Sequence, residues 1–407
     1  MLSIPNDIKT YNKSVNFLDL KWILFLGVLP IDSAALTFFL SDSIGNYISL
    51  FLNFCTIIGA FIGFINVKSI KVRNRLSQKY IVYFGVLAFV YLCAFFVEQI
   101  EITRFFSLIC LLGYYLFVIC CFKNVDKLIR SINKALLFII LISLALYILG
   151  NENVMYIENA SKTVFKGITS NRNSYSEISL FYIATNFYIW RKDKKHFVWR
   201  SITTLIAVFT TIMTNSATSI ICTALLFVLM MGCVFKKMRK LYSFNVFSVV
   251  YIVVFTIVVL IQNSDLAIMK NITTLFDKTS SLTGRTDIWE VSINYISKSP
   301  LFGFGYDTNV LLSQGIIEND PHNGILYIAL TQGIVGIIAL VCMISFLVRI
   351  DRNEDIKRDD AYISMFIFVL VWLVKGLVES VFSYTHFVFW CSIIVLELQH
   401  RKSLTKQ

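Results

Sequence analysis

The chain contains little charge and few histidines. Only 15% of its 407 residues are Asp, Glu, Lys or Arg, and it has four histidines and four prolines. A typical globular chain is about a quarter charged, whereas this one is 57% hydrophobic with 36 phenylalanines. A soluble fold has no interior large enough for so much apolar surface. The composition therefore excludes an ordinary soluble protein and predicts a polytopic membrane protein.

Two further absences narrow the class of protein. The nine cysteines lie in apolar runs without CxxC spacing, which excludes a disulfide framework or a thiolate metal site as the organising principle. No acidic cluster of the DxD type faces outward, so neither a metal site nor a cofactor is expected. In a membrane protein, a net charge of +12 is explained by Lys and Arg residues in the cytoplasmic loops. The charge therefore does not indicate nucleic-acid binding, and no nucleic-acid partner is expected.

About twelve apolar segments have the length of about 20 residues that a helix needs to cross a membrane. They run over residues 21–40, 47–66, 80–97, 104–122, 135–149, 174–190, 198–214, 216–235, 244–262, 323–348, 361–379 and 382–398. A polar segment from Thr214 to Ser219 divides the seventh from the eighth. We therefore predict an all-α integral membrane protein of about twelve transmembrane helices, in which residues 1–407 form a single polytopic domain.

The basic residues give the orientation. With a cytoplasmic N-terminus, 28 of the 37 Lys and Arg residues fall on the inner segments of an alternating pattern. Basic loops stay on the cytoplasmic side, so both termini are predicted to be cytoplasmic. The expected location is the cytoplasmic membrane, with the lipid bilayer around the helices.

Two predicted outer loops are longer than ordinary connections. They cover residues 150–173 and 263–322, the second lying between the ninth and tenth spans. Loops beyond about 15 residues are usually functional or disordered. The larger loop contains TDIWEVSINYISKS, in which Ile288, Val291 and Tyr295 share one helical face. This pattern predicts an amphipathic helix on the outer mouth of the bundle.

His322 is the best-placed titratable residue on the outer side. It precedes Asn323 where the larger loop enters the tenth span, and Gly333 and Gly336 follow after nine residues. A histidine has a pKa near neutrality and is suited to act as a general base. The alternative is an ordinary helix start at the membrane interface, with glycines that allow close helix packing.

Two outer arginines stand where predicted helices begin. Arg285 lies in TGRTDIW before the amphipathic helix, and Arg172 lies in ITSNRNSYSE before the sixth span. An arginine beside a helix N-terminus attracts an anion through its guanidinium and through unpaired backbone donors. The alternatives are a salt bridge from Arg285 to Asp287 or Glu290, and a snorkelling side chain for Arg172.

Other polar residues fall inside predicted spans, where they are costly and tend to line cavities. Asn173 and Tyr175 make the start of the sixth span unusually polar. Lys375 and Glu379 are four residues apart on the eleventh span and share a helical face, which favours a structural ion pair over a place in a sugar cavity. Sugar stacking or anchoring at the membrane interface is open for three aromatic residues, Trp289, Tyr295 and Tyr306.

Four motifs occur in the order SNRNSYSE, TGRTDIW, SPLFGFGYDT and HN-x(9)-GIVG. Together they resemble the bacterial O-antigen polymerase and O-antigen ligase superfamily over roughly residues 150–400. The His-Asn and double-glycine spacing is the most specific element. One departure concerns the serine that opens the eighth span. Ligases of this superfamily often place an arginine after it, whereas here Ser216 is followed by Ala217, which favours a polymerase.

The resemblance implies a GT-C-like, metal-independent membrane glycosyltransferase. Its donor would be an oligosaccharide linked to undecaprenyl diphosphate, bound at the outer, periplasmic face of the inner membrane. The superfamily's two outer-loop arginines fall on Arg172 and Arg285, which would clamp the diphosphate, and its histidine falls on His322, which would activate the acceptor hydroxyl. The candidates for substrate binding are Asn173, Asn323, Tyr175, Lys375 and Glu379.

The sequence favours a polymerase of O-antigen or capsule repeat units, which adds the growing glycan to the non-reducing end of a lipid-linked repeat. A chain-length regulator and a flippase are the expected protein partners. An O-antigen ligase that transfers the glycan to lipid A–core is the first alternative, and an exopolysaccharide polymerase of a Gram-positive organism is another. A transporter is the alternative of a different class, disfavoured because the polar residues lie at outer loop–helix junctions rather than near the midplane.

Overall fold

The computed structural model describes most of the chain from residue 71 onward. The described residues are 71–98, 108–119 without 110, 114 and 117, 125–158, 162–169, 171–194, 196–235, 238–260, 285–305, 310–314, 320–351, 359–383 and 385–404. The first two predicted spans, Tyr306 and residues 263–284 of the larger loop lie outside them. The fold and the site described below belong to this part of the chain.

The described chain is helical apart from short turns and one hairpin. Its α-helices are α1 (Lys71–Glu98), α2 (Val125–Ile148), α3 (Arg172–Asp193), α4 (Phe197–Met213), α5 (Ala217–Gly232), α6 (Phe244–Phe255), α7 (Arg285–Lys298), α8 (Gly324–Ile344), α9 (Phe346–Asp351), α10 (Asp360–Lys375) and α11 (Phe387–Leu404). A π-helical turn, Thr256–Leu260, extends α6.

The helices agree with most of the predicted spans. Nine of the twelve coincide with α1 to α6, α8, α10 and α11, and the described residues of 108–119 are also helical. Two segments, Leu128–Ile148 and Gly324–Arg349, are long and apolar enough by themselves to cross a membrane, and the other apolar helices are shorter. The predominantly helical character is confirmed and is compatible with a membrane protein. The count of twelve and the orientation stay predictions.

The polar segment between the seventh and eighth predicted spans does end a helix. Helix α4 stops at Met213, and Asn215 adopts a left-handed backbone with φ of 51°. Ser216 then caps α5, its hydroxyl accepting from the N–H of Ser219 at 3.4 Å. Serine and threonine compete with the helix for backbone hydrogen bonds, which is why such a cluster divides an apolar run.

Residues 150–173 contain a hairpin that the sequence did not predict. Strands β1 (Met155–Glu158) and β2 (Lys162–Phe165) pair antiparallel, with Met155 opposite Phe165. Gly167 follows in a left-handed conformation, φ 61°, and a Cβ there would lie 2.5 Å from the ring of Tyr175. The hairpin is thereby packed onto the start of α3.

The core of the bundle is formed by α3, α10 and α11. Every residue over 175–186, 362–373 and 387–398 is buried. A helix that is apolar on all sides is typically a central one. Helices α4 and α6 instead expose large apolar side chains on one side, including Leu205, Phe209 and Val249. Several polar residues of the site lie on the central helices or in the turns that join two of them.

Candidate active site

Side chains from four parts of the chain meet at Glu379. This residue lies in the turns between α10 and α11, four residues beyond the helix end at Lys375. Its Oε2 accepts a hydrogen bond from Nδ2 of Asn173 at 3.1 Å, and its Oε1 lies 3.4 Å from Nη2 of Arg285. The Nδ1 atom of His322 is 3.8 Å from Oε2. The structure therefore brings the predicted arginine and histidine to one carboxylate.

The Glu379 carboxylate is almost enclosed, with 9% of the side chain exposed. Its two carboxylate oxygens face the Arg285 guanidinium and the His322 imidazole, and an opposite charge within ~4–6 Å favours the ionised form of a carboxyl group. A fixed negative charge stands between a guanidinium and an imidazole.

His322 is held by contacts of its own backbone and of the residues before it. Its N–H donates to Oδ1 of Asp320 at 2.7 Å, and the hydroxyl of Ser380 donates to the same oxygen. The indole N–H of Trp289 donates to the carbonyl of Pro321 at 2.8 Å. His322 itself has a φ of 48°, a region that residues other than glycine seldom adopt. Its position is thus imposed by three neighbouring segments.

Asn323 caps α8 and is not exposed to a cavity. Its Oδ1 accepts from the N–H groups of Ile325 and Leu326, each at 3.0 Å, and its Nδ2 donates to the carbonyl of Leu377 at 2.8 Å. The side chain is fully buried. These bonds give Asn323 a structural use in place of the expected contact with sugar or with the imidazole, and they join the start of α8 to the turn that carries Glu379.

Arg285 is the first residue of α7, the helix that the sequence predicted for this loop. The predicted alternative partners, Asp287 and Glu290, are exposed, and the guanidinium contacts Glu379 instead. Trp289 is fully buried and packs with Leu326. The expectation of a sugar-stacking or interfacial Trp289 is therefore wrong, because the indole attaches α7 to the start of α8.

Arg172 and Asn173 occupy the first turn of α3. Asn171 caps the helix, its Oδ1 accepting from the N–H of Ser174 at 2.8 Å. Arg172 is half-buried and immediately precedes Asn173, whose amide reaches Glu379. Tyr175 is fully buried, with its ring centroid 5.0 Å from that of Phe165. Its expected contact with substrate is not supported, because the hairpin covers it.

Lys375 is paired with a residue that the sequence did not suggest. Its Nζ donates to Oε1 of Glu177 at 2.8 Å, and Nδ1 of His386 lies 3.1 Å from Oε2 of the same residue. The predicted pair with Glu379 was wrong. Since α10 ends at Lys375, the helical spacing of four residues does not continue to Glu379. Glu177 lies one helical turn after Asn173 on α3, and Asn173 contacts Glu379. The carboxylates of Glu177 and Glu379 therefore lie in successive layers of the site.

Ser216 and His386 extend the site beyond the predicted residues. The Ser216 hydroxyl donates to Oδ1 of Asn173 at 3.2 Å and accepts from the hydroxyl of Ser219 at 2.9 Å. The sequence signal for Ser216 was the polar segment that divides two spans. Nothing in the local sequence indicated His386, because its partner Glu177 is 209 residues away.

The double-glycine motif opens α8 to admit a loop. Gly333 has a φ of 62° inside the helix. The N–H groups of Phe304 and Gly305 donate to the carbonyls of Leu330 and Thr331 at 2.8 and 2.9 Å, and the N–H of Ile334 donates to the carbonyl of Pro300 at 2.8 Å. A Cβ on Gly333 would stand 2.3 Å from the carbonyl oxygen of Leu301. The motifs SPLFGFGYDT and GIVG are therefore in direct contact with each other.

Within the described residues, no group of three or more His, Cys, Asp or Glu side chains is placed to hold a metal ion. The chemistry that these residues offer is charge and proton transfer. Arginines at the starts of α3 and α7 can bind an anion, and an imidazole beside a carboxylate can take up a proton.

Residues 202–341 match the family described as O-antigen ligase. The chain is 24% identical over 363 residues to the ComP-specific O-oligosaccharyltransferase of Acinetobacter baylyi, covering 83% of this chain and 64% of that protein. It is 24% identical over 277 residues to the O-antigen ligase of Salmonella typhimurium, covering 63% of this chain and 67% of that one. The chain thus spans about two thirds of these relatives.

The matched segment runs from α4 through α8 and includes residues 300–305, the loop that contacts α8 at its kink. It carries both Arg285 and His322, and the alignment with the first relative extends well beyond it. The motifs that first suggested the resemblance are thus the same residues that build the site, and the comparisons support the chain's resemblance to the O-antigen ligase superfamily.

Proposed function

We propose that the protein is a membrane glycosyltransferase that moves a glycan from a polyprenyl diphosphate to an acceptor hydroxyl. The carrier that the resemblance implies is undecaprenyl diphosphate. The observation that carries the proposal is the convergence of Arg285 and His322 on Glu379, with Arg172 at the neighbouring helix start. This arrangement supplies cations for a diphosphate and a base for a hydroxyl at one place. The similarity to O-antigen ligases gives no support to the transporter alternative.

The reaction follows from these groups. The acceptor oxygen attacks the anomeric carbon, the carbon–oxygen bond to the diphosphate breaks, and the electron pair leaves with the diphosphate. Arg172 and Arg285 stabilise the charge that develops there. The acceptor proton goes to His322. Because its Nδ1 is directed to Glu379, the proton is taken by Nε2.

The acceptor distinguishes two forms of this function. The relatives are named a ComP-specific O-oligosaccharyltransferase and an O-antigen ligase, and these names favour a ligase type of acceptor here. Ala217 after Ser216 is the observation that favours a polymerase, since it removes an arginine that many ligases have. A chain-length regulator and a flippase remain proposed partners of the polymerase form only.

A gel of the glycans from a deletion strain separates the two forms. Loss of a polymerase leaves core that bears one repeat, whereas loss of a ligase leaves core that bears none. A copy of the protein with Arg285→Ala or His322→Ala should not restore the wild-type glycan pattern to the deletion strain. A copy with Lys298→Ala should restore it fully, because Lys298 is an exposed cation at the other end of α7. Wild-type glycan patterns from either site variant would refute the proposed function.

The location is part of the same proposal. We propose that residues 150–173 and 263–322 lie on the periplasmic side of the inner membrane, together with the site, and that both termini are cytoplasmic. The basic inner segments support this orientation. Reporter fusions at the C-terminus and within residues 263–284 should give opposite signals, and equal signals would contradict the orientation.

A further inference from the structure

We propose that Glu379 is a positioning residue that changes partners during the reaction. It pairs with Arg285 in the structure, and it pairs with His322 when a donor diphosphate has bound to Arg285. The inference rests on the proposed function and adds to it a coupling between donor binding and activation of the base. Arg172, Arg285 and His322 keep the roles given above.

The contact between Arg285 and Glu379 is well suited to exchange. Its single N–O distance of 3.4 Å is longer than the roughly 2.7–2.9 Å of a strong charge-assisted hydrogen bond. A guanidinium has five N–H donors in a planar fork that matches phosphate bidentately. A diphosphate carries more charge than one carboxylate and offers more acceptor oxygens. It will therefore displace Glu379 from Arg285.

The other carboxylate oxygen is already held near the histidine. Oε2 accepts from Asn173 at 3.1 Å, and the Asn173 amide is fixed in turn by the hydroxyl of Ser216 at 3.2 Å. The distance from Oε2 to Nδ1 of His322 is 3.8 Å, which is ~1 Å longer than a hydrogen bond. A small rotation of the carboxylate closes it once Arg285 has a new partner.

A carboxylate on Nδ1 prepares the imidazole for its task. It fixes the tautomer with the proton on Nδ1, leaves the lone pair of Nε2 for the acceptor, and stabilises the imidazolium that forms. Arg285 of α7 and Lys375 of α10 are charged groups that act on Glu379, the backbone of His322 contacts Asp320 of its own segment, and the Glu177–His386 pair adjoins Lys375. The Oε2 atom of Glu379 lies 3.8 Å from Nδ1 of His322.

The proposal predicts opposite changes in binding and in turnover for Glu379→Gln. The amide removes the charge that competes for Arg285, so a diphosphate should bind more tightly. It also removes the charge that supports His322, so turnover should fall. A residue with a merely structural role would weaken both binding and turnover.

The test uses the purified full-length protein in detergent and farnesyl diphosphate as the probe. We expect Glu379→Gln to bind the probe ~3- to 10-fold more tightly and to lower kcat by ~10²-fold in a glycan transfer assay. The acidic limb of the pH–rate profile should move to lower pH, because His322 loses its anionic neighbour. Glu379→Asp keeps the charge and should recover part of kcat. Glu290→Gln, an exposed acid on α7, is the matched control and should change neither quantity.

Probe binding that is unchanged or weaker in Glu379→Gln, or an unchanged kcat, would overturn the proposal. If Glu379→Gln does not fold, the same measurements are made on Glu379→Asp. Weaker probe binding together with an unaltered pH–rate profile in that variant would count against the exchange of partners. The two proposals fail differently. Arg285→Ala and His322→Ala without activity beside a normal Glu379→Gln refute only the exchange of partners, whereas a wild-type protein without transfer activity refutes the proposed function.

Discussion

Lys375, the last residue of α10, donates to Glu177 of α3 across 2.8 Å, although Glu379 lies only four residues further along its own chain. His386, just before α11, contacts the same carboxylate. The three central helices are therefore joined by one buried cluster. The second carboxylate, Glu379, faces Arg285 and His322 instead.

Breaking this cluster should destabilise the bundle. Lys375→Met leaves the Glu177 carboxylate buried without its ammonium partner, and such a loss costs about 3–5 kcal/mol. We expect a clear fall in the Tm measured in detergent, with partial recovery in the double variant Lys375→Met/Glu177→Gln. Lys192→Met breaks the more exposed pair with Asp126 and should cost at most about 1 kcal/mol. Equal losses in the two single variants would contradict this account.

The kink of α8 should tolerate no side chain larger than that of glycine. In Gly333→Ala, the new Cβ would meet the carbonyl oxygen of Leu301, and the residue would have to keep a positive φ. We expect a loss of at least about 2 kcal/mol, seen as a lower Tm and a lower yield of folded protein. Gly85→Ala is the control, because its Cβ would meet nothing within 4 Å in the middle of α1. A Gly333→Ala variant as stable as Gly85→Ala would be inconsistent with the inserted loop.

The indole of Trp289 should affect activity through the position of His322. Trp289→Phe keeps most of the packing but leaves the carbonyl of Pro321 without its donor, which costs about 1–3 kcal/mol when the group is buried. We expect transfer activity to drop several-fold in kcat, with little change in KM for the donor. Trp199→Phe changes an indole that is 56% exposed on α4 and should behave like the wild type. An unchanged kcat in Trp289→Phe would show that this anchor does not position the histidine.

The left-handed backbone at position 322 allows chemistry and stability to be separated. Asparagine adopts this conformation more readily than most residues, and β-branched residues rarely adopt it. His322→Asn should therefore be inactive with a Tm close to that of the wild type, whereas His322→Ile should be inactive and also less stable by about 1–2 kcal/mol. Glycan transfer by His322→Asn would eliminate His322 as the base.

Local patterns in the sequence predicted the parts of the structure that depend on local interactions. Apolar runs gave most of the helices, the serines and threonines around Ser216 gave the division between α4 and α5, and the amphipathic pattern gave α7. The site residues Arg285 and His322 were recognised because they stand at loop–helix junctions. The partner of Lys375 was not predictable, because it depends on where α10 ends and on how α3 packs beside it.

The residues that meet at Glu379 show the same limit. Asn173 is 206 positions away in the chain, and nothing in the local sequence distinguishes its amide from that of Asn171, which caps the helix. Tyr175 looked suited to substrate because it is polar and near a loop, but a hairpin without a strong sequence signal covers it. Such assignments depend on tertiary contacts rather than on residue type and spacing.

The opening of α8 at Gly333 has a consequence for assembly. In an apolar medium each backbone N–H and C=O must find a partner within the protein, and here the partners of Leu330, Thr331 and Ile334 come from residues 300–305. The kinked form of α8 is thus complete only after this loop has docked. The same loop directly follows α7, so the contact that completes the kink of α8 also connects α8 to the helix that carries Arg285.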